Sequence, residues 1–165
     1  MTEVVDPPAA RVVADLLDRP DPGPELLAWQ APDGRWQDVR SAHIDGYIQA
    51  NAAVPATAKA FRTWAGTVIC AAALARADLD GRFASGRGGR RQLSAAVMAT
   101  SELLGNTPRV ARASYIHPGV VDGWTEGTTV AAAVEAAGTA ELHRLWLAPT
   151  VQEAVHDLLA ARGPR

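Results

Sequence analysis

Between Thr57 and Ala72 the chain places Phe61, Trp64, Ala65, Val68, Ile69 and Ala72 at i, i+3, i+4, i+7, i+8 and i+11, the spacing of one face of an α-helix. A half-buried strand would alternate every second residue, so this run predicts a long core-facing helix with Thr57 as its N-cap. Arg62 falls one residue off the stripe. Gly66, one turn later on the face of Arg62, leaves room for that side chain or for the backbone of a ligand.

A helix this apolar needs neighbours, and 165 residues at 48% hydrophobic supply enough of them for one well-buried domain. No apolar run reaches about 18 residues, and Thr2, Glu3 and Asp6 after Met1 do not make a basic, apolar leader. The expectation is a soluble, cytoplasmic protein with no membrane contact. Cys70 is the only cysteine, which excludes an intrachain disulfide or a cysteine-based zinc site and makes it a small core residue within the helix. His43, His143 and His156 show no metal-ligand spacing.

The net charge of −2 is unevenly spread. Residues 1–25 carry Glu3, Asp6, Asp15, Asp18, Asp21 and Glu25 against Arg11 and Arg19, whereas residues 82–112 carry Arg82, Arg87, Arg90, Arg91, Arg109 and Arg112 against Glu102 alone. Lys59 is the only lysine. The middle of the chain is thus a basic island in a mildly acidic protein, and Asp78 to Arg90, rich in glycine and arginine without periodicity, reads as a mobile basic loop.

The remaining elements follow from local signals. Val12, Val13, Leu16 and Leu17 predict a first helix, stopped by the Pro20-Asp21-Pro22-Gly23-Pro24 run. Leu26–Trp29 and Arg35–Val39 flank Pro32-Asp33-Gly34 and predict a small β-hairpin near residues 26–39, the one sheet expected. Ser41 caps a helix to about Ala52, with Ile44, Tyr47 and Ile48 on one face. A further helix carries Leu93, Val97, Met98 and Leu104. After Pro118, short helices are expected at 120–124, 129–137 and 142–147, and Thr150-Val151-Gln152-Glu153 has the form of a capping box for a last helix. The fold expected is mainly α.

Residues 102–118, ELLGNTPRVARASYIHP, join two of these helices. Gly105 suits the left-handed residue that ends a helix, and Thr107-Pro108 supplies an N-cap followed by proline at the first helical position. Asn106 is pinned between them. Tyr115 follows about two turns later, and His117-Pro118 opens another short helix, with His117 as a cap or a backbone contact. A side-chain amide, helix-start N–H groups, Arg109, Arg112 and a phenol thus share one neighbourhood, a reasonable place to hold a phosphate.

Three segments in order, Thr57-Ala58-Lys59-Ala60-Phe61-Arg62-Thr63-Trp64-Ala65-Gly66-Thr67, then Leu104-Gly105-Asn106-Thr107-Pro108, then Ser114-Tyr115-Ile116-His117-Pro118, resemble the type IB DNA topoisomerases of bacteria, and the likeness extends more weakly from about residue 6 to about residue 127. The resemblance implies a helical C-terminal catalytic subdomain of the type IB topoisomerase and tyrosine recombinase kind over residues 1–127, with residues 128–165 as a helical extension packed on it. A recombinase fits less well, because the His-x-x-Arg pattern expected upstream of the tyrosine is missing.

In that family a tyrosine attacks a phosphodiester of double-stranded DNA, forms a 3′-phosphotyrosyl link, permits strand rotation and is expelled by the 5′-hydroxyl, without metal, ATP or another cofactor. By resemblance Tyr115 is the nucleophile and Arg62 binds the nonbridging oxygens. Asn106 stands where many relatives carry a histidine that donates to the phosphate. Lys59, Thr107, Arg109, Arg112, Arg90 and Arg91 are the expected DNA-backbone contacts of a protein that is monomeric on DNA and associated with the nucleoid. The residue types suit the chemistry: a phenol titrating at about 10 needs nearby cations, and arginine stays charged and grips two oxygens at once. Asparagine can orient a phosphate but cannot exchange a proton with it. The family's general-acid lysine and a second arginine belong upstream of the matched region, and Lys59 is not their substitute. The sequence therefore reads as the C-terminal half of such an enzyme, incomplete in catalysis by itself, or as a non-catalytic DNA-binding or structural remnant.

Overall fold

The computed structural model describes residues 6–20, 23, 25–80 and 86–163, with backbone alone at 86 and 87. These residues are mainly helical, with one two-stranded antiparallel sheet, and the chain forms two compact units, Met1–Ala58 and Lys59–Arg165.

In the first unit, α1 spans Pro7–Leu17; Asp6 caps it by accepting the Ala9 N–H at 3.0 Å. The hairpin pairs β1 (Ala28–Gln30) with β2 (Trp36–Asp38) in the register Ala28↔Asp38, Trp29↔Gln37 and Gln30↔Trp36. Its turn follows the expected chemistry: Gly34 takes φ +83° and Asp33 Oδ1 accepts the Arg35 N–H at 3.1 Å. The central side chain of this unit is Arg19, a buried guanidinium that donates to the carbonyls of Glu25 at 2.6 Å, Gly23 at 3.3 Å and Leu26 at 3.3 Å and lies 5.7 Å over the Trp36 ring. Arg19 is therefore a structural knot. The α1 stripe forms as a helix, yet Val12, Val13 and Leu17 stay exposed.

The next helix, α2, spans Ser41–Asn51, and its cap differs from expectation. Ser41 is the first helical residue and Arg40 the N-cap, whose backbone N–H donates to His43 Nδ1 at 3.1 Å. Tyr47 and Ile44 on its surface are exposed.

The second unit is built around α3 (Ala58–Leu79), followed by α4 (Gly86–Leu104), α5 (Pro108–Ser114), α6 (Pro118–Thr125), α7 (Ala131–Ala136), α8 (Leu142–Leu145) and α9 (Pro149–Ala160). From Ala65 to Ala75 every residue of α3 except Ala73 is buried, so the helix is enclosed nearly all round. Alanines there let neighbouring helices approach, while Val68, Leu74, Val97, Val120, Leu145, Val151 and Val155 fill the core. Each fully buried aliphatic side chain contributes about 1.5–3 kcal/mol. The stripe read from the sequence runs one turn too far: Phe61 is 62% exposed, because α3 enters the packed region only at Ala65.

Two further expectations are corrected. Of the basic segment 78–90 the described residues are helical apart from Asp80: Asp78 and Leu79 close α3 and Gly86–Arg90 open α4, while 81–85 lie outside the described residues. Gly89 is buried in that first stretch of α4, where packing outweighs the cost of a helical glycine. The helix expected around 129–137 forms as Ala131–Ala136, and ahead of it the Thr129 hydroxyl donates to Asp78 of α3 at 3.0 Å. The capping box at Thr150 does not form, since Pro149 already occupies the first turn and Ala148 is the N-cap. Residues of α7 and α9 belong to the same core as α3 and α6. Among the described residues no helix is long and apolar enough to cross a membrane.

Candidate active site

The joint between α4 and α5 forms as its residue types require. Gly105, at φ +65°, ends α4 with its N–H bonded to the Glu102 carbonyl at 3.2 Å, and the Asn106 N–H reaches back to the Ser101 carbonyl at 2.9 Å. This double closure is the Schellman arrangement. Thr107 then caps α5 by accepting the Val110 N–H at 3.3 Å, with Pro108 in the first helical turn. Asn106 is thus held between two capped helix ends.

Arg62 reaches this joint from the exposed start of α3. Its Nη2 donates to the Leu104 carbonyl and, at 2.8 Å, to Asn106 Oδ1. The Leu104 carbonyl is one of those that a helix C-terminus leaves without an intrahelical partner, and a cation there is favoured by the helix dipole. A guanidinium can only donate, so the Asn106 amide turns its oxygen toward Arg62 and its Nδ2 protons away. Arg62 Nε and Nη1 stand outside these two bonds. The guanidinium carbon also lies 5.4 Å from the centroid of the Tyr115 ring, a cation–π contact. Arg62, Asn106 and Tyr115, the three residues singled out as catalytic, are brought together.

Tyr115 is the C-cap of α5, its N–H bonded to the Ala111 carbonyl at 3.0 Å, and it is half-buried between Ala111 and Ile116, both in the core. His117 then caps α6: its Nδ1 accepts the Gly119 N–H at 3.1 Å. The capping role considered for His117 is the one observed. The space beside Gly66 is filled by Tyr115 itself, because a Cβ at 66 would stand 2.6 Å from the Tyr115 carbonyl oxygen and 3.0 Å from its Cβ. This differs from the expected vacancy for Arg62 or a ligand.

The other basic residues divide. Lys59, three residues before Arg62 on an exposed stretch of α3, shares its face. Thr107 and the exposed Arg109 lie at the start of α5, and Arg112 is half-buried, close enough to Cys70 to act on its thiol. Arg90 and Arg91, both exposed, are near the opposite end of α4 from the Asn106 joint. At 1.5 Å per residue they stand roughly 20 Å from it along the helix axis. Among the described residues no group of three or more His, Cys, Asp or Glu side chains is placed to hold a metal ion.

Sequence reasoning missed Thr67. It is 2% exposed, and its hydroxyl oxygen accepts the His117 N–H at 3.1 Å while lying 2.8 Å from the Thr63 carbonyl oxygen and 3.3 Å from that of Tyr115. Nothing in the sequence pointed to this: Thr67 lies off the stripe from Phe61 to Ala72, on a side of α3 that is buried only because the helix is enclosed nearly all round. No protein-family model matches the chain, and no curated protein matches it.

Proposed function

We propose that this chain is the tyrosine-bearing part of a type IB topoisomerase catalytic domain. Tyr115 attacks a backbone phosphate of double-stranded DNA: its oxygen bonds to phosphorus, the bond to the 5′-oxygen breaks, the phenol gives up its proton and the departing 5′-oxygen gains one. The 5′-hydroxyl later attacks the phosphotyrosyl link and reverses each change. The observation that supports this reading is the convergence of Arg62 and Asn106, 44 residues apart in sequence, beside the Tyr115 ring. Arg62 lies where it can balance negative charge developing on the phosphate. Asn106 offers its Nδ2 protons, and Lys59, Thr107, Arg109 and Arg112 offer backbone contacts that position without reading sequence. In this reading the protein acts as a monomer in the nucleoid, without metal or ATP.

The leaving 5′-oxygen needs a proton, and neither Arg62 nor Asn106 can supply it readily. A duplex whose scissile bridge is a 5′-phosphorothiolate removes that requirement, since the thiolate leaves unprotonated. Incubated with such a duplex, the chain is expected to form a covalent adduct that survives denaturing electrophoresis and maps to Tyr115. Adduct formation by Tyr115→Phe at the same rate as by the unaltered chain would remove the assignment.

A second reading, a non-catalytic duplex-binding protein, is favoured by the exposed Arg90 and Arg91 on α4, well away from Tyr115. It predicts binding that weakens with salt and with replacement of both arginines, and no adduct on the phosphorothiolate duplex.

A further inference from the structure

We propose that Thr67 is a positioning residue that holds Tyr115 in register with Arg62. The inference rests on the proposed function in taking Tyr115 as the nucleophile, but its geometric core does not depend on DNA.

Arg62, Gly66 and Thr67 all belong to α3, whose buried stretch begins at Ala65. The guanidinium is therefore referenced to the most enclosed helix of the unit. Tyr115, by contrast, sits where one short helix ends and the next begins, with only Ser114–His117 to define its course. Two contacts tie that joint to α3. Gly66 lets the Tyr115 backbone lie directly against the helix, too close for any Cβ. Thr67, one residue on, receives the His117 N–H at 3.1 Å and offers its single hydroxyl proton to the carbonyls of Thr63 and Tyr115. The hydroxyl thereby bonds on both sides of Ile116, and Ile116 itself is anchored in the core. Lateral slip of the joint would break the bonds to His117 and Tyr115. It would also carry the phenol away from the guanidinium 5.4 Å above its ring.

Valine matches threonine in shape but lacks the hydroxyl, so Thr67→Val removes the tie without opening a void; Thr67→Ser keeps the tie with less bulk. The readout is the NMR signal of the Arg62 Hδ protons in the full chain, which the Tyr115 ring beneath the guanidinium is expected to shift upfield. Tyr115→Leu fixes the unshifted position. Thr67→Ser is expected to retain the upfield shift, and Thr67→Val to move the signal most of the way to the unshifted value while the Trp124 and Leu145 core signals persist. On the phosphorothiolate duplex, Thr67→Val is expected to slow adduct formation at saturating DNA by about 10²-fold, the scale of loss from a misplacement of about 1 Å. Its DNA affinity is expected to be unchanged and Thr67→Ser to restore the rate. Should Thr67→Val unfold, Thr67→Ala is measured in its place.

Retention of the full upfield shift in a folded variant lacking the hydroxyl overturns the proposal. So does a loss of DNA affinity equal to the loss of rate. Absence of adduct from the unaltered chain, with the shift lost in Thr67→Val, overturns the strand-cleavage reading and leaves the positioning role of Thr67 standing.

Discussion

The Arg62 guanidinium bonds to Asn106 Oδ1 at 2.8 Å while lying 5.4 Å over the ring of Tyr115, so one cation ties the helix joint to the phenol. Lysine at 62 would keep the charge but lose the planar fork that reaches the Leu104 carbonyl, Asn106 and an anion together. Arg62→Lys is therefore expected to slow adduct formation by about 10²-fold or more, near the cost of removing one donor to a developing oxyanion. Arg62→Ala is expected to be slower still. Single-turnover kinetics on the phosphorothiolate duplex measure both, and equal rates for Lys and Arg would show that charge alone suffices.

Asn106 faces Arg62 with its oxygen, which makes the aspartate variant more damaging than alanine. A carboxylate at 106 would pair with Arg62 and repel an incoming phosphate, whereas alanine only removes the amide. Asn106→Asp is expected to bind duplex DNA more weakly than Asn106→Ala at low salt, by roughly tenfold, about 1.4 kcal/mol. Fluorescence anisotropy titrations of the two variants decide this, and the reverse order would place the Asn106 side chain away from the bound phosphate.

A methyl group at Gly66 has nowhere to go. Its Cβ would stand 2.6 Å from the Tyr115 carbonyl oxygen, an atom that cannot swing aside as a flexible side chain could. Gly66→Ala gains helix propensity worth about 1 kcal/mol, against overpacking that costs about 1–3 kcal/mol and displaces Tyr115. Urea unfolding is expected to show a net loss of stability, together with loss of the Arg62 upfield shift. A more stable variant with that shift intact would mean that the contact relaxes easily.

What the sequence made legible was governed by local chemistry. Gly105, Thr107 and the Asp33-Gly34 turn form as read, because their conformations answer to neighbours within a few residues. Expectations failed where distant partners decided the outcome. Phe61 lies on the helical stripe but beyond the packed length of α3. Thr150 failed for a local reason instead: the adjacent Pro149 takes the first helical turn and Ala148 the cap. Arg62 and Asn106 were brought together in advance only by the motif resemblance, since nothing local to either predicts a hydrogen bond across 44 residues. Thr67 carried no signal, since it lies off the apolar stripe and is buried only because α3 is enclosed nearly all round.

Cys70 links this core to pH. Burial pushes its thiol up to about 12 from an ordinary value of 9.0, against the opposing pull of the Arg112 charge and a hydrogen bond involving Thr100. The folded chain thus resists forming the thiolate, which the unfolded chain forms freely above its own pKa. The stability this group contributes is complete below about pH 9 and is lost as pH rises toward 12, at up to about 1.4 kcal/mol per pH unit. Cys70→Ala removes the titration, so its stability is expected to fall less steeply than that of the unaltered chain between pH 9 and 11. Urea midpoints measured for both across that interval test the difference. Parallel curves would mean that the folded protein accepts a thiolate at position 70, and rapid alkylation of Cys70 without unfolding would say the same.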